Sequence, residues 1–226
     1  MPVEEHINAL ALCPERIAEL RKRLSSLSWF MGRLNEYIAR AANKEDKVKG
    51  RFWESRFKCR VLLDYAAIAT GMVYVDLNPI RACLAPTPED SDFTSIQQRI
   101  RAYREEMKAA ESDTQSKPGT STCWLCPVSS LTNPNGILPM TETEYFDLVD
   151  RTGRLIRRGK RGAIGDDLAP ILRRMGIRPE SWSDAVSEFE DKFGLAAGLL
   201  PNLREFAKRV GRQWVTGVHA AQASFI

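Results

Sequence analysis

Between Pro14 and Asp46 the apolar residues Ile17, Leu20, Leu24, Leu27, Met31, Leu34, Ile38 and Ala41 recur at spacings of three and four. Such positions line one stripe of a 3.6-residue helix, so the pattern predicts a long amphipathic helix, or two in line with a break at Ser25–Ser28. Arg21, Lys22, Arg23 and Arg33 fall on the other face. The period then changes. Phe57, Cys59 and Val61 alternate with Arg56, Lys58 and Arg60, which predicts a strand with one apolar face and a row of three cations on the other. Edge strands carry charge to resist aggregation. Three like charges on one face nevertheless repel one another unless something anionic, such as a phosphate backbone, lies across them.

Asp64 is placed to cap a helix from Tyr65 to about Leu77. On that helix Tyr74 shares a small, polar face with Ala67, Thr70, Gly71 and Asn78, while Ile68, Met72 and Val75 form a separate stripe expected to enter the core. Pro79 cannot continue a helix interior and pushes Asn78 out of helical geometry, so Asn78 is expected to end one helix and cap the next. After a polar turn at 86–93, Thr94 opens a helix with Ile96, Ile100, Tyr103 and Met107 inward and Arg99, Arg101, Arg104 and Lys108 outward. Residues 112–137, rich in Ser, Thr, Pro and Gly, read as a linker. Beyond them Thr141 to Glu144 match a capping box opening a helix, and further helices are expected at 166–175, 181–193 and 202–215. The expected fold is mainly α with a small β remnant. It has a long amphipathic N-terminal helix, one or two strands near 51–62, a tyrosine-bearing helix at 64–77 and a helical C-terminal region. The corresponding division is 1–111, a linker at 112–137, and a helical extension at 138–226.

Composition is that of an ordinary globular chain, 43% hydrophobic over 226 residues, and its net charge of +4 permits nucleic-acid binding without requiring it. No apolar run approaches a bilayer span and no signal peptide opens the chain, so a cytoplasmic location without membrane partners is expected. Five cysteines in helix or strand patterns argue for reduced thiols. Cys123 and Cys126 have the spacing of half a zinc knuckle, but no second pair accompanies them and the histidines are His6 and His219 alone. Six cations crowd residues 151–161, where a helix C-terminus favours them, with a nucleic-acid contact as the lesser reading. No P-loop, dinucleotide fingerprint, GxSxG elbow or HExxH occurs, so no nucleotide cofactor is expected.

Four stretches, "SWFMGRLNEYIARAANKED", "GRFWESRFKCRVLLD", "YVDLNPIRA" and "DFTSIQQRIRA", together resemble the REP-associated tyrosine transposases. These are relatives of the single-tyrosine HUH transposases of small insertion sequences. The likeness runs from about Leu24 to Arg101, and "LVDRTGRLIRRGKRGAI" is similar to the C-terminal extension of longer members. The resemblance implies a small α+β domain that binds a hairpin or repeat in single-stranded DNA. It implies DNA transposition through attack of one tyrosine on a phosphodiester, leaving a 5′-phosphotyrosine and a free 3′-hydroxyl. In the Y-x-x-x-N-P pattern that tyrosine is Tyr74, and Asn78 is the polar residue that completes a Mg or Mn site. A tyrosine hydroxyl, with its pKa near 10, is a poor nucleophile until a cation polarises the phosphate. Arg56, Lys58, Arg60 and Arg81 are the residues expected to hold the strand.

The chain departs from the family in having no His-x-His, the pair that gives the superfamily its name. Asn78 alone cannot hold a catalytic metal with useful affinity. The expectation is a truncated transposase, inactive alone and binding no cation by itself, that acts at most by lending its tyrosine helix to another chain that holds the histidine pair; a homodimer is a separate partner expectation. The alternative is a non-catalytic helical DNA-binding or protein-interaction module derived from such an ancestor.

Overall fold

A computed structural model describes residues 4–111, 124–157 and 169–226 and divides the chain into two compact units, Met1–Cys59 and Arg60–Ile226. The first contains α1 (Glu4–Ala11), α2 (Pro14–Leu24) and α3 (Leu27–Glu45), followed by irregular chain to Cys59. The expected break between in-line helices falls at Ser25–Ser26. There the Ser26 hydroxyl accepts from the Trp29 amide at 3.4 Å and restarts the helix. Glu19 pairs with Arg16 and Arg23, and Glu36 with Arg33 and Arg40, one turn away in each case. The apolar stripe is present but not covered, since no described residue of this unit is buried.

The second unit contains β1 (Val61–Leu62), α4 (Tyr65–Asp76), α5 (Asn78–Arg81), α6 (Ser95–Glu111), α7 (Glu142–Arg157) and α8 (Ala169–Arg174). There follow α9 (Trp182–Ser187), α10 (Phe189–Lys192), β2 (Ala196–Ala197), α11 (Leu200–Arg209) and α12 (Val218–Ser224). The protein is mainly α with a small β remnant, the two short strands pairing in parallel with Val61 opposite Ala196 and Leu62 opposite Ala197. The compact units fall elsewhere than composition places the boundary. One core joins Val73 and Leu77 of α4 and its end to Val128, Leu138, Tyr145, Leu148, Trp182 and Phe193. Val128 and Ser129, within the supposed linker, are buried, and Ser129 bridges to Leu138. Residues 112–123 of that segment, and Arg158, Lys160 and Arg161 of the cation run, lie outside the described residues.

α4 packs chiefly by its small residues; of the stripe expected in the core, Ile68 and Met72 are half-buried against it. Ala66, Ala67, Ala69, Thr70, Gly71 and Val73 are buried, whereas Val75, expected in the core, is exposed. Small side chains let neighbouring elements approach the helix closely. A Cβ on Gly71 would already meet Leu62 Cδ1 at 3.4 Å and the Phe189 ring at 3.5 Å. Asp64 caps α4 as expected, accepting from Ala67 N at 3.0 Å. Its other oxygen accepts from Leu199 N at 2.6 Å and Asn202 Nδ2 at 2.8 Å, so one carboxylate serves the starts of both α4 and α11. Thr141 and Glu144 form the reciprocal capping box at α7, with bonds of 3.2 and 2.7 Å.

The strand expected across 56–61 shrinks to β1. Arg56 and Lys58 are exposed and Phe57 is half-buried as expected, but over 59–61 the faces invert: Cys59 and Val61 are exposed while Arg60 is half-buried. The cause is the Arg60 guanidinium. It donates to Glu190 O and Gly194 O at 2.8 Å each and to Phe193 O, satisfying carbonyls at the end of α10. Asn78 is not the cap of α5 either. Leu77 occupies that position without a side-chain bond, and Asn78 is the first residue of α5, with Pro79 behind it in the first turn.

Candidate functional site

Asp76, the last residue of the tyrosine helix, sets that helix's rotation. Its carboxylate is fully buried and accepts from Tyr145 Oη at 2.6 Å, Ser95 Oγ at 2.5 Å and Ile96 N at 3.2 Å. The last two tie it to the first turn of α6, where a negative charge is favoured. Two residues back along a helix is a turn of about 200°, so Tyr74 points to the opposite side, toward α10.

There Tyr74 is half-buried, its ring 5.9 Å from that of Phe189 and tilted by 39°. The Arg81 guanidinium lies over the Tyr74 ring, its Cζ 4.9 Å from the centroid, while Nη2 donates to Ser187 O at 2.9 Å. Arg60 sits over Phe189 at 5.1 Å. Two of the four candidate strand-holding cations are thus gathered around the candidate nucleophile, joined through Phe189. Both also bond helix-end carbonyls, Arg81 at α9 and Arg60 at α10. Arg81 is exposed and keeps further donors free to meet a phosphate; Arg60 has its donors directed into the protein. The Tyr74 hydroxyl makes no hydrogen bond among the described residues.

Arg56 and Lys58 belong to the first unit and are exposed. That unit also holds the protein's whole charge imbalance, with twelve Lys or Arg against eight Asp or Glu, whereas the second unit has twenty-one of each.

The divalent cation implied by the resemblance does not fit the residues present. Asn78 is exposed and offers one neutral amide oxygen, and no group of three His, Cys, Asp or Glu able to hold a metal occurs among the described residues. Cys123 lies outside the described residues, while Cys126 is exposed and donates to Asn135 O at 3.1 Å.

Sequence patterning missed the polar network beneath α4. Arg99, expected outward, is buried, with Nη1 donating to Cys126 O at 2.8 Å and Nε without a partner. Tyr145 is held well above the ordinary tyrosine range by burial, by the neighbouring Asp76 charge and by its bond to that carboxylate. A charged residue flanked by Val75 and Leu77 in an apolar helix was the signal that could have revealed this anchor. No helix of the described residues is long and apolar enough to cross a membrane. Comparison of the chain with protein-family models, curated proteins and solved structures finds no match.

Proposed function

We propose that this chain is a nucleic-acid-binding protein. In particular, we read it as a transposase-like protein of the REP-associated tyrosine type, retaining the tyrosine half of that machinery and unable to cut DNA alone. The observation that carries the reading is the phenol of Tyr74 lying beneath the exposed Arg81 guanidinium, its hydroxyl unbonded among the described residues. A phosphodiester that meets Arg81 comes within reach of that hydroxyl. Cleavage further needs a polarising group on the phosphate, and neither Asn78 nor the two isolated histidines provides one. On this reading residues 1–226 bind DNA, and strand transfer requires a histidine pair that they do not contain. The reading includes a cytoplasmic location, where reduced thiols are the norm.

The test mixes the protein with a labelled single-stranded DNA hairpin, with and without magnesium or manganese. Binding is followed by fluorescence anisotropy and covalent adducts by denaturing electrophoresis. Salt-sensitive binding without an adduct is the expected result. Failure to bind at low salt removes the nucleic-acid reading. An adduct that vanishes in Tyr74→Phe shows instead that the chain cleaves unaided.

The uncovered stripe of α3, with Phe30, Leu34 and Ile38 exposed, favours a second reading, a protein-interaction module that self-associates. Light scattering at two concentrations separates a monomer from a homodimer.

A further inference from the structure

The irregular chain that follows α3 carries five cations, Lys47, Lys49, Arg51, Arg56 and Lys58, against two carboxylates, Asp46 and Glu54. Elsewhere in this unit Arg16 and Arg23 share the carboxylate of Glu19, and Arg33 and Arg40 share that of Glu36. Among the described residues none of the five cations after α3 pairs with a carboxylate; Arg51 donates to Trp53 O, and the others are exposed. Such a run of unpaired like charge attracts a polyanion.

Aromatic rings stand among these cations. Phe52 and Trp53 meet edge to face, centroids 4.9 Å apart and planes at 89°, and each keeps about two fifths of its surface exposed. They are held, not loose. Asn43 Nδ2 donates to Gly50 O at 3.0 Å and Trp53 Nε1 to Asn35 O at 2.9 Å. Those two asparagines lie eight residues apart on α3, about 12 Å along its axis. The segment therefore runs back along the helix with the Trp53 indole fixed and the Phe52 ring against it. Gly50, at φ +124°, supplies the turn.

Rigid exposed rings interleaved with unpaired cations fit a ligand with flat π faces joined by a charged backbone. We infer that Lys47, Lys49, Arg56 and Lys58 track the phosphates of single-stranded DNA while Phe52 and Trp53 stack against its bases. This deepens the nucleic-acid reading above, on which it rests, by locating a strand-binding site within the first unit. Duplex DNA keeps its bases stacked on one another and cannot use the rings, so the site discriminates for single strands.

Binding of the full chain to a fluorescein-labelled oligothymidylate of about 16 nucleotides and to a duplex of equal length tests this across a salt series. Wild type is expected to prefer the single strand and to lose affinity with a log–log salt slope of up to about −2.8, from the four phosphate-tracking cations. Lys49→Gln should flatten that slope by about 0.7. Phe52→Ala should weaken single-strand binding roughly 5- to 100-fold, Phe52→Trp should restore it, and Phe52→Leu should not. Phe52 is the position to vary because the Trp53 indole also anchors the fold; circular dichroism checks that each variant keeps its helices. Hairpin binding indifferent to Phe52→Ala and Lys49→Gln would leave DNA binding standing and remove this site, as would equal affinity for duplex. Absence of any DNA binding by wild type overturns both readings.

Discussion

Replacing Asp76 with alanine removes the acceptor for three hydrogen bonds at once. The Tyr145 hydroxyl is wholly enclosed and has no water to turn to, so its loss of partner costs about 1–3 kcal/mol. The Ile96 amide, in the first turn of α6, loses what amounts to a helix cap, worth about 1 kcal/mol. Ser95 is half-buried and can turn its hydroxyl outward, adding little. A small void where the carboxylate was brings the expected total to about 3–5 kcal/mol, the range found when a buried charged group loses its function in a network. At about 2–4 °C per kcal/mol for a chain of this size, the melting temperature falls by roughly 6–20 °C. Tyr145→Phe leaves the carboxylate two donors and should cost less, about 1.5–3 kcal/mol. Urea unfolding followed by far-ultraviolet circular dichroism measures both variants and the double. Because the two residues share one bond, the double variant should lose at least about 1 kcal/mol less than the sum. A loss below about 1 kcal/mol in Asp76→Ala, or strict additivity, refutes the anchor and with it the account of why Tyr74 faces Phe189.

Three other outcomes follow from the same geometry. Tyr145 has a raised pKa in the folded protein, so its contribution is fully present below the unfolded value near 10 and is lost as pH rises beyond it; urea midpoints should fall above about pH 10 less steeply in Tyr145→Phe than in wild type. Asp64→Ala uncaps α4 and releases Leu199 N and Asn202, an expected loss of about 2–4 kcal/mol by urea unfolding. Gly198→Ala should act on the same joint, since its Cβ would lie 2.6 Å from Asp64 Oδ2 and 2.9 Å from Leu63 Cβ. Arg60→Gln should lower stability by about 1–3 kcal/mol and leave the salt dependence of DNA binding unchanged, whereas exposed Arg56→Gln should do the reverse.

Local chemistry was legible from the chain itself. The break near Ser25, the Asp64 cap, the Thr141–Glu144 box and the corner at Pro79 each depend on residues within a few positions, and steric and hydrogen-bond rules at that range leave few alternatives. The candidate residues could likewise be named from the sequence, Tyr74 and Arg81 among them, because their types and spacing are properties of one helix and the turn after it. What the chain could not disclose is which surface each helix turns to a distant partner. α4 buries its small face because Phe189 of α10 and Leu62 of β1 lie against it, more than a hundred residues apart in sequence. Arg60 turned inward because α10 ends beside it, and Arg99 and Asp76 because Tyr145 and Cys126 meet them there. Periodicity records that a helix has an apolar and a polar side, but the burial of a particular side chain is fixed by whatever else the fold brings within contact, and that is a property of the folded whole.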